Sequence, residues 1–256
     1  MTESLKRYNH GLVERKWKKS WNEEGAKRCA PAVCALLIPK TTAELDLENA
    51  RLMVLANFFA ASLFEEKVSI AALGAQASWL ESSSYLGLWA KDLGFGTYDF
   101  AVVPRDYAAP GQPNSLRVLA SGRLLNGGPV SDFLPDFGGD ALRIYFLYLG
   151  PPGRDYEFRW QGLVSAHRFV QRVWQLGSRA EEDALDQGAQ ERLLVLKSAV
   201  AARVLQKKPH TALAAIMGYI KGKQRLTKAE ALVIAKLLRP FTPFLSAELL
   251  YLVAAL

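Results

Sequence analysis

Apolar positions in this chain change period about halfway along it. In the first half, short uninterrupted apolar runs alternate with helical patterns. Residues 5–22 place Val13, Trp17 and Trp21 at helical spacing, with Arg15, Lys16, Lys18 and Lys19 on much of the remaining surface. Residues 32–38 form a short apolar run that predicts a buried strand. Residues 45–66 carry Leu52, Leu55, Phe59 and Leu63 as the stripe of a helix. Residues 68–73 predict a second buried strand, so strand, helix and strand make a βαβ unit with parallel strands. A helix is predicted over 82–93, ended by Gly94 and Gly96. Strands are predicted over 100–103 and 116–120, separated by a loop broken by Pro110, Gly111 and Pro113.

From about residue 140 the pattern is almost wholly helical. Helices are predicted over 142–149, 160–176, 181–206, 211–222, 228–238 and 243–254, with residues 179–190 as the mobile connection. The expected architecture is therefore an α/β part over residues 1–137, a reduced Rossmann-like parallel sheet with an amino-terminal helix. An antiparallel helix bundle follows over 138–256. No internal repeat or low-complexity segment is visible.

The chain has 256 residues, half of them hydrophobic, which is enough for one or two cores. No apolar run approaches the roughly 20 residues that span a bilayer, and the charged amino terminus is unlike a cleavable signal, so a cytoplasmic protein with no membrane contact is expected. Cys29 and Cys34 sit five apart in a strand-like run and would point to opposite faces, so they read as buried thiols rather than a disulfide or a zinc site. The formal net charge of +7 fits a polyanionic partner, nucleic acid above all, and equally a solvated, soluble surface.

Several residues carry candidate chemistry. Arg154, Arg159, Arg168 and Arg172 lie among Tyr156, Phe158 and Trp160, and Arg168 and Arg172 are one helical turn apart. Basic residues interleaved with aromatics suit unpaired RNA. The same group also reads as an interdomain hinge with ion pairs to Asp155 and Glu157. Gln76, Trp79 and Tyr85 are candidates for lining a small-molecule pocket, or for plain core. Glu81, followed by three serines, reads as a polar pocket above the strand ends or as a helix cap. The histidines are His10, His167 and His210, and none is placed to activate those serines. No phosphate-binding glycine loop of the Gly-x-x-x-x-Gly-Lys type occurs.

The run Gly138-Gly139-Asp140-Ala141-Leu142-Arg143-Ile144-Tyr145 leads to Gly150-Pro151-Pro152, then to Ala166-His167-Arg168-Phe169 and Arg172-Val173-Trp174. It resembles the passage from catalytic domain to anticodon-binding bundle in the leucyl-tRNA synthetases. Tyr8-Asn9, Val13-Glu14, Lys16-Trp17 and Trp21 resemble that family's amino-terminal helix. Leu238-Arg239-Pro240-Phe241-Thr242-Pro243-Phe244 resembles the approach to its final helix. The resemblance implies a class I plan, a nucleotide-binding Rossmann domain followed by a helical anticodon-binding domain.

It also implies two signatures that this chain lacks. Counting back from residues 70–74 puts the family's His-x-Gly-His motif on Leu45-Asp46-Leu47-Glu48, without either histidine. Acidic Asp46 and Glu48 would repel a triphosphate there. The Lys-Met-Ser-Lys-Ser loop falls near residues 119–123, where Arg123 keeps one positive charge and both lysines are gone. Residues 76–84 leave no room for an editing insertion, and the chain ends at Leu256, where the family carries a further domain. Ordinary leucine activation and proofreading are therefore not expected.

Three functions remain open at this point. One is binding of tRNA or aminoacyl-tRNA for a non-translational task, such as aminoacyl transfer to a small molecule. Another is amide or ester ligation of an amino acid to a metabolite, with ATP and with magnesium held by Asp46 and Glu48, and with Glu81 nearby. The third is a non-catalytic adaptor for a partner enzyme, or a homodimer. No metal site is expected outside the ligation reading.

Overall fold

The computed structural model describes residues 7–25, 32–37, 42–63, 68–73, 79–86, 90–91, 100–106, 117–182 and 187–255. Helix α1 (His10–Gly25) precedes strand β1 (Ala32–Leu37), helix α2 (Leu47–Leu63) and strand β2 (Val68–Leu73). Then come α3 (Leu80–Tyr85), β3 (Ala90–Lys91), β4 (Phe100–Pro104), β5 (Arg117–Ser121) and β6 (Leu124–Leu125). Strands β1 to β5 form one sheet in the order β3-β2-β1-β4-β5, with every neighbouring pair parallel. The predicted βαβ unit is present, with Ala32 opposite Val68 and Leu37 opposite Leu73. Because β1 lies between β2 and β4, the chain reverses its direction of winding there. Parallel sheets of this kind offer a crevice at the carboxyl ends of the strands on either side of such a point.

The second half contains α4 (Leu134–Tyr148), the short strand β7 (Tyr156–Glu157) paired with β6, then α5 (Trp160–Gly177) and α6 (Gln187–Leu205). Helices α7 (Pro209–Ile220), α8 (Lys228–Leu238) and α9 (Pro243–Ala255) complete it. The fold is thus mixed α/β followed by helices. Helix α8 has the bounds the periodicity predicts. Thr227 caps it, and the Thr227 side chain and Glu230 satisfy each other's backbone N–H groups.

The structure corrects three predicted elements. The helix expected over 82–93 ends at Tyr85, and Ala90–Lys91 joins β2 as an edge strand. The sequence holds a helix-stopping glycine at 87, earlier than the pair at 94 and 96. The helix expected from 142 begins at Leu134, before the two glycines rather than after them. Gly138 takes φ +74° inside it and kinks it. At Gly139 a Cβ would lie 1.7 Å from the Tyr85 carbonyl oxygen, so glycine there lets α4 touch the end of α3. The helix expected from 181 begins at Gln187. Glu181 instead bonds through its backbone to residues 226 and 228, which pins the start of a connection expected to be mobile.

Helix α4 lies at the centre of the fold. Residues 138–147 are all buried, and its neighbours include α1, α2, α5 and α7. One apolar cluster runs from α2 through α4 to α9, and Phe58 of α2 meets Phe241 at 4.6 Å. The core therefore crosses residue 137. Helix α1 packs as its stripe predicts. Val13 is buried, Trp21 stacks on Phe244 at 5.0 Å, and Trp17 donates to Glu248 at 2.7 Å.

Candidate functional site

The carboxyl edge of the sheet carries a charged network. Ser121 ends β5, Arg105 follows β4, and the start of α2 lies beside them. Glu48, in the first turn of α2, takes two hydrogen bonds from Arg123, the closer at 3.0 Å. The Arg123 backbone N–H donates to Asp155 at 2.8 Å, and Arg105 donates to the other Asp155 oxygen at 3.0 Å. The side-chain bond to Glu48 raises the Arg123 pKa further. The Arg123 amide, then the Arg105 side chain, hold Asp155 below the usual carboxylate range.

Beneath this network lies Arg51, 1% exposed. It donates to the carbonyls of Gly122 at 2.6 Å and Pro152 at 3.0 Å, and its guanidinium lies 5.3 Å from the Tyr156 ring centre. Burial lowers its pKa to about 10, where it still carries its charge at neutral pH. Gly122 has no room for a side chain, because a Cβ would lie 2.3 Å from the Arg154 backbone. Arg51 and Gly122 thus fasten the segment after β5 and the 151–155 loop to one turn of α2.

The same turn of α2 is closed at its amino end. Asp46 accepts the Asn49 N–H at 2.7 Å, which is helix capping. The Leu47 N–H donates to Gly128, and Val130 donates to Leu45, so residues 45–47 run antiparallel to 128–130. Helix amino termini bind phosphate through free backbone N–H groups, and here those of Leu47 and Asn49 are occupied.

The structure therefore pairs Glu48 with Arg123 and uses Asp46 to cap the start of α2, so all three are joined to protein groups. Trp79 is 1% exposed and donates to the Thr42 carbonyl at 2.9 Å, so it is built into the core and anchors the entry to α2. Tyr85 is half-buried under the Lys18 ammonium, 3.1 Å from its ring centre. Neither is on the walls of the two clefts described below. Gln76 lies outside the described residues, as does Cys29, and Glu81 is described only as a backbone position within α3.

A second feature sits on the bundle. A cleft of about 690 Å³ opens between α4, α5 and the end of α7. Tyr148, Phe169 and Met217 give it apolar and aromatic walls, and Arg168, Arg172 and Lys221 bring three cations. Tyr148 is 47% exposed. Arg172 also donates to the Lys223 carbonyl. Of the four arginines singled out in the sequence, Arg168 and Arg172 share this cleft, while Arg154 and Arg159 lie outside it. The expected ion pair of this group with Asp155 is corrected, since Asp155 serves Arg105 and Arg123. A further cleft of about 640 Å³ between the start of α1 and α5 contains His10 and His167, whose rings meet edge-on at 6.3 Å, and none of the predicted site residues.

Sequence reasoning missed Arg51, Arg105 and Tyr148. Arg51 left a signal, being the only charged residue after Glu48 in an otherwise apolar helix. The cleft left none, because its walls come from three separate helices.

No protein-family model matches the chain. The leucine–tRNA ligase of Nitratidesulfovibrio vulgaris is 29% identical over 150 residues, covering 46% of this chain and 18% of that protein. That of Roseiflexus castenholzii is 31% identical over 148 residues, covering 48% of this chain and 16% of that protein. That of Shewanella denitrificans is 28% identical over 109 residues, 43% of this chain and 12% of that protein. The chain is a partial, leucyl-tRNA-synthetase-like protein. The matches span under a fifth of the length of these relatives. Among solved structures, the Agrobacterium radiobacter leucyl-tRNA synthetase, in a ternary complex with tRNA and LeuAMS, is similar at a TM-score of 0.45 and 22% identity. It covers 54% of this chain and 23% of that one. The apo methionyl-tRNA synthetase of Mycobacterium tuberculosis is similar at 0.41 and 14% identity, over 95% of this chain and 61% of that one. No helix among the described residues of this synthetase-like chain is long and apolar enough to cross a membrane.

Proposed function

We propose that this leucyl-tRNA-synthetase-like protein binds tRNA or aminoacyl-tRNA for a task outside translation and does not charge tRNA with leucine. In the fuller form of this reading, the ester at the tRNA 3′ end passes its aminoacyl group to an amine or hydroxyl of a small acceptor. Uncharged tRNA is then released. The observation that carries tRNA binding is the cleft between α4, α5 and α7. Arg168, Arg172 and Lys221 are placed to neutralise phosphates, and Tyr148 and Phe169 offer faces to unpaired bases. The net charge of +7 favours the encounter.

The loss of leucine activation is supported by the occupied start of α2. With Leu45 and Glu48 standing where the family has its histidines, the Arg123 cation is tied to Glu48, and the N–H groups of Leu47 and Asn49 are engaged by protein oxygens rather than free for a triphosphate. Ligation with ATP and magnesium on Asp46 and Glu48 is not favoured, because both carboxylates already serve protein groups. Amino-acid-dependent exchange of pyrophosphate into ATP is expected to be absent across a broad amino-acid panel. Exchange with leucine would overturn this part of the reading.

Filter binding with charged and uncharged tRNA across a salt series tests the rest. Binding that weakens steeply with salt is expected. Arg168→Ala and Arg172→Ala should each weaken it and reduce the slope of log affinity against log salt by about 1. Tighter binding of charged tRNA would support aminoacyl transfer, and no binding at low salt would overturn the proposal.

A further inference from the structure

Gly162, Gly218 and Gly222 all line the cleft between α4, α5 and α7, and two of them are explained within the chain. A Cβ on Gly162 would lie 2.8 Å from the Tyr145 ring, so glycine there lets α5 meet α4. Gly222 takes φ +76° just past the end of α7, the left-handed conformation in which many helices stop. Gly218 has neither reason. It lies inside α7, near its end, and its φ is not positive. A Cβ there would meet no atom within 4 Å. Alanine would support the helix better. The backbone of α7 is thus bare where it borders the cleft, and bare backbone is what a closely approaching ligand needs.

The remaining walls say what kind of ligand fits over Gly218. Tyr148 of α4, Phe169 of α5 and Met217 of α7 are aromatic or apolar. Arg168 and Lys221 are exposed cations, and neither has an ion-pair partner among the described residues. Arg172 fastens α5 to the turn after α7 through the Lys223 carbonyl. Lys223 itself is drawn to Glu230, 2.8 Å away. Aromatic walls and bare backbone take the face of a flat ring, and the free cations take negative charge. A nucleotide within an RNA strand combines the two, a planar base with a phosphate on either side. A purely apolar ligand would leave the cations unused. The cleft, at about 690 Å³, falls in the range of about 300–1,000 Å³ that suits one small molecule. It therefore has room for one nucleotide and not for a paired helix, whose bases are stacked and turned inward.

We propose that this cleft seats one unpaired nucleotide of the bound RNA, its base against the α7 backbone at Gly218 and its flanking phosphates on Arg168 and Lys221. The inference rests on the reading of the protein as one that binds tRNA. It adds which part of the RNA enters the cleft, and it makes Gly218 the residue that admits it.

Binding of labelled tRNA to Gly218→Leu and Gly218→Ala tests the seat. Leucine fills the space, and affinity is expected to fall about tenfold, as for loss of one base contact. Alanine adds a single methyl group and should cause a smaller loss, while its melting temperature stays level or rises. Weaker binding by a protein that is no less stable separates a blocked seat from a damaged fold, and Gly218→Ala decides the matter if the leucine variant is unstable. Against labelled tRNA, a short single-stranded RNA should compete at lower concentration than an RNA duplex of the same length, and Gly218→Leu should erase that difference. Wild-type affinity in both variants, or equal competition by duplex and single strand, overturns the inference and leaves tRNA binding standing. Binding of the single-stranded RNA without tRNA, lost in Gly218→Leu, overturns the tRNA reading and keeps the nucleotide seat. Binding of neither RNA overturns both.

Discussion

Arg143→Met is expected to lower the unfolding free energy by about 3–5 kcal/mol, through loss of a buried charge partner. Arg143 is fully buried in the middle of α4. Its guanidinium donates to the carbonyls of Phe241 at 3.1 Å, Leu86 at 3.0 Å and Pro240. One side chain thus ties the end of α3 and the entry to α9 to the central helix. Burial lowers its pKa to about 10, with the Asp140 charge opposing, so it is cationic at neutral pH. Methionine fills similar volume but leaves three carbonyls without that donor, and it leaves Asp140 in the core without its cation. Denaturant titration should show an earlier midpoint with an unchanged slope, and the melting temperature should fall by about 10 °C. Arg168→Met, on an exposed position of α5, should change stability by no more than about 0.5 kcal/mol. Equal effects from the two would refute the assignment of Arg143 as the tie.

Stability is expected to fall as pH rises from about 5 to 8.5, and Glu14→Gln is expected to remove about half of that fall. Glu14 is 2% exposed, and its carboxylate accepts the Gly139 N–H at 2.7 Å. Burial first, and the neighbouring Asp140 charge second, push its pKa to about 8, against the pull of the Gly139 N–H and Lys18. Asp140 is itself pushed up, to about 7, by burial. The Leu245 N–H, the Arg143 charge, the Phe244 N–H and the Tyr8 hydroxyl oppose that rise. Between the unfolded pKa near 4.5 and the folded value near 8, the native state holds a proton that the unfolded chain has released. Stability is then fully present at low pH and is lost as pH rises through the folded pKa. The size is on the order of a few kcal/mol, since each pKa unit is 1.36 kcal/mol and the two acids share one site. Glutamine keeps an oxygen for the Gly139 N–H and has no charge to bury, so the variant should be the more stable protein at pH 8.5. Asp140, raised by a comparable amount, leaves a slope of the same sign. Unfolding midpoints across pH check this, and a wild type that gains stability between pH 5 and 8 would contradict it.

Both predictions concern the junction of α1, α4 and α9, where the leucyl-tRNA-synthetase-like segments meet. Glu14 comes from one of those segments, and Gly139, Asp140 and Arg143 from another. The sequence marked them through family likeness, without disclosing that they form one buried polar centre. Asp140 accepts the Leu245 N–H at 2.6 Å and so caps α9 from more than a hundred residues away. Such a partner is set by chain crossing and not by local pattern.

What the sequence determined by itself was everything that depends on short-range periodicity. The apolar runs at 32–37 and 68–73 specify β1 and β2, and the Thr227–Glu230 spacing specifies the start of α8. The residues at 45–48 and 119–123, which differ from the two signatures of the family the chain resembles, were equally legible there, since identity needs no geometry. The tertiary structure decided what those residues do. It made Ala90–Lys91 a strand, because β2 had an open edge to pair with. It carried α4 through Gly138, because residues 138–147 are buried within the fold. It turned Asp46, Glu48 and Arg123 from loose charges into a closed end of α2, because Arg51 and Gly122 bring β5 and the 151–155 loop against that turn. It made a basic, aromatic cleft from α4, α5 and α7, whose residues are spread over some seventy positions of sequence. Hydrophobic alternation acts between neighbours along the chain, whereas charge pairing and cleft formation act between neighbours in space.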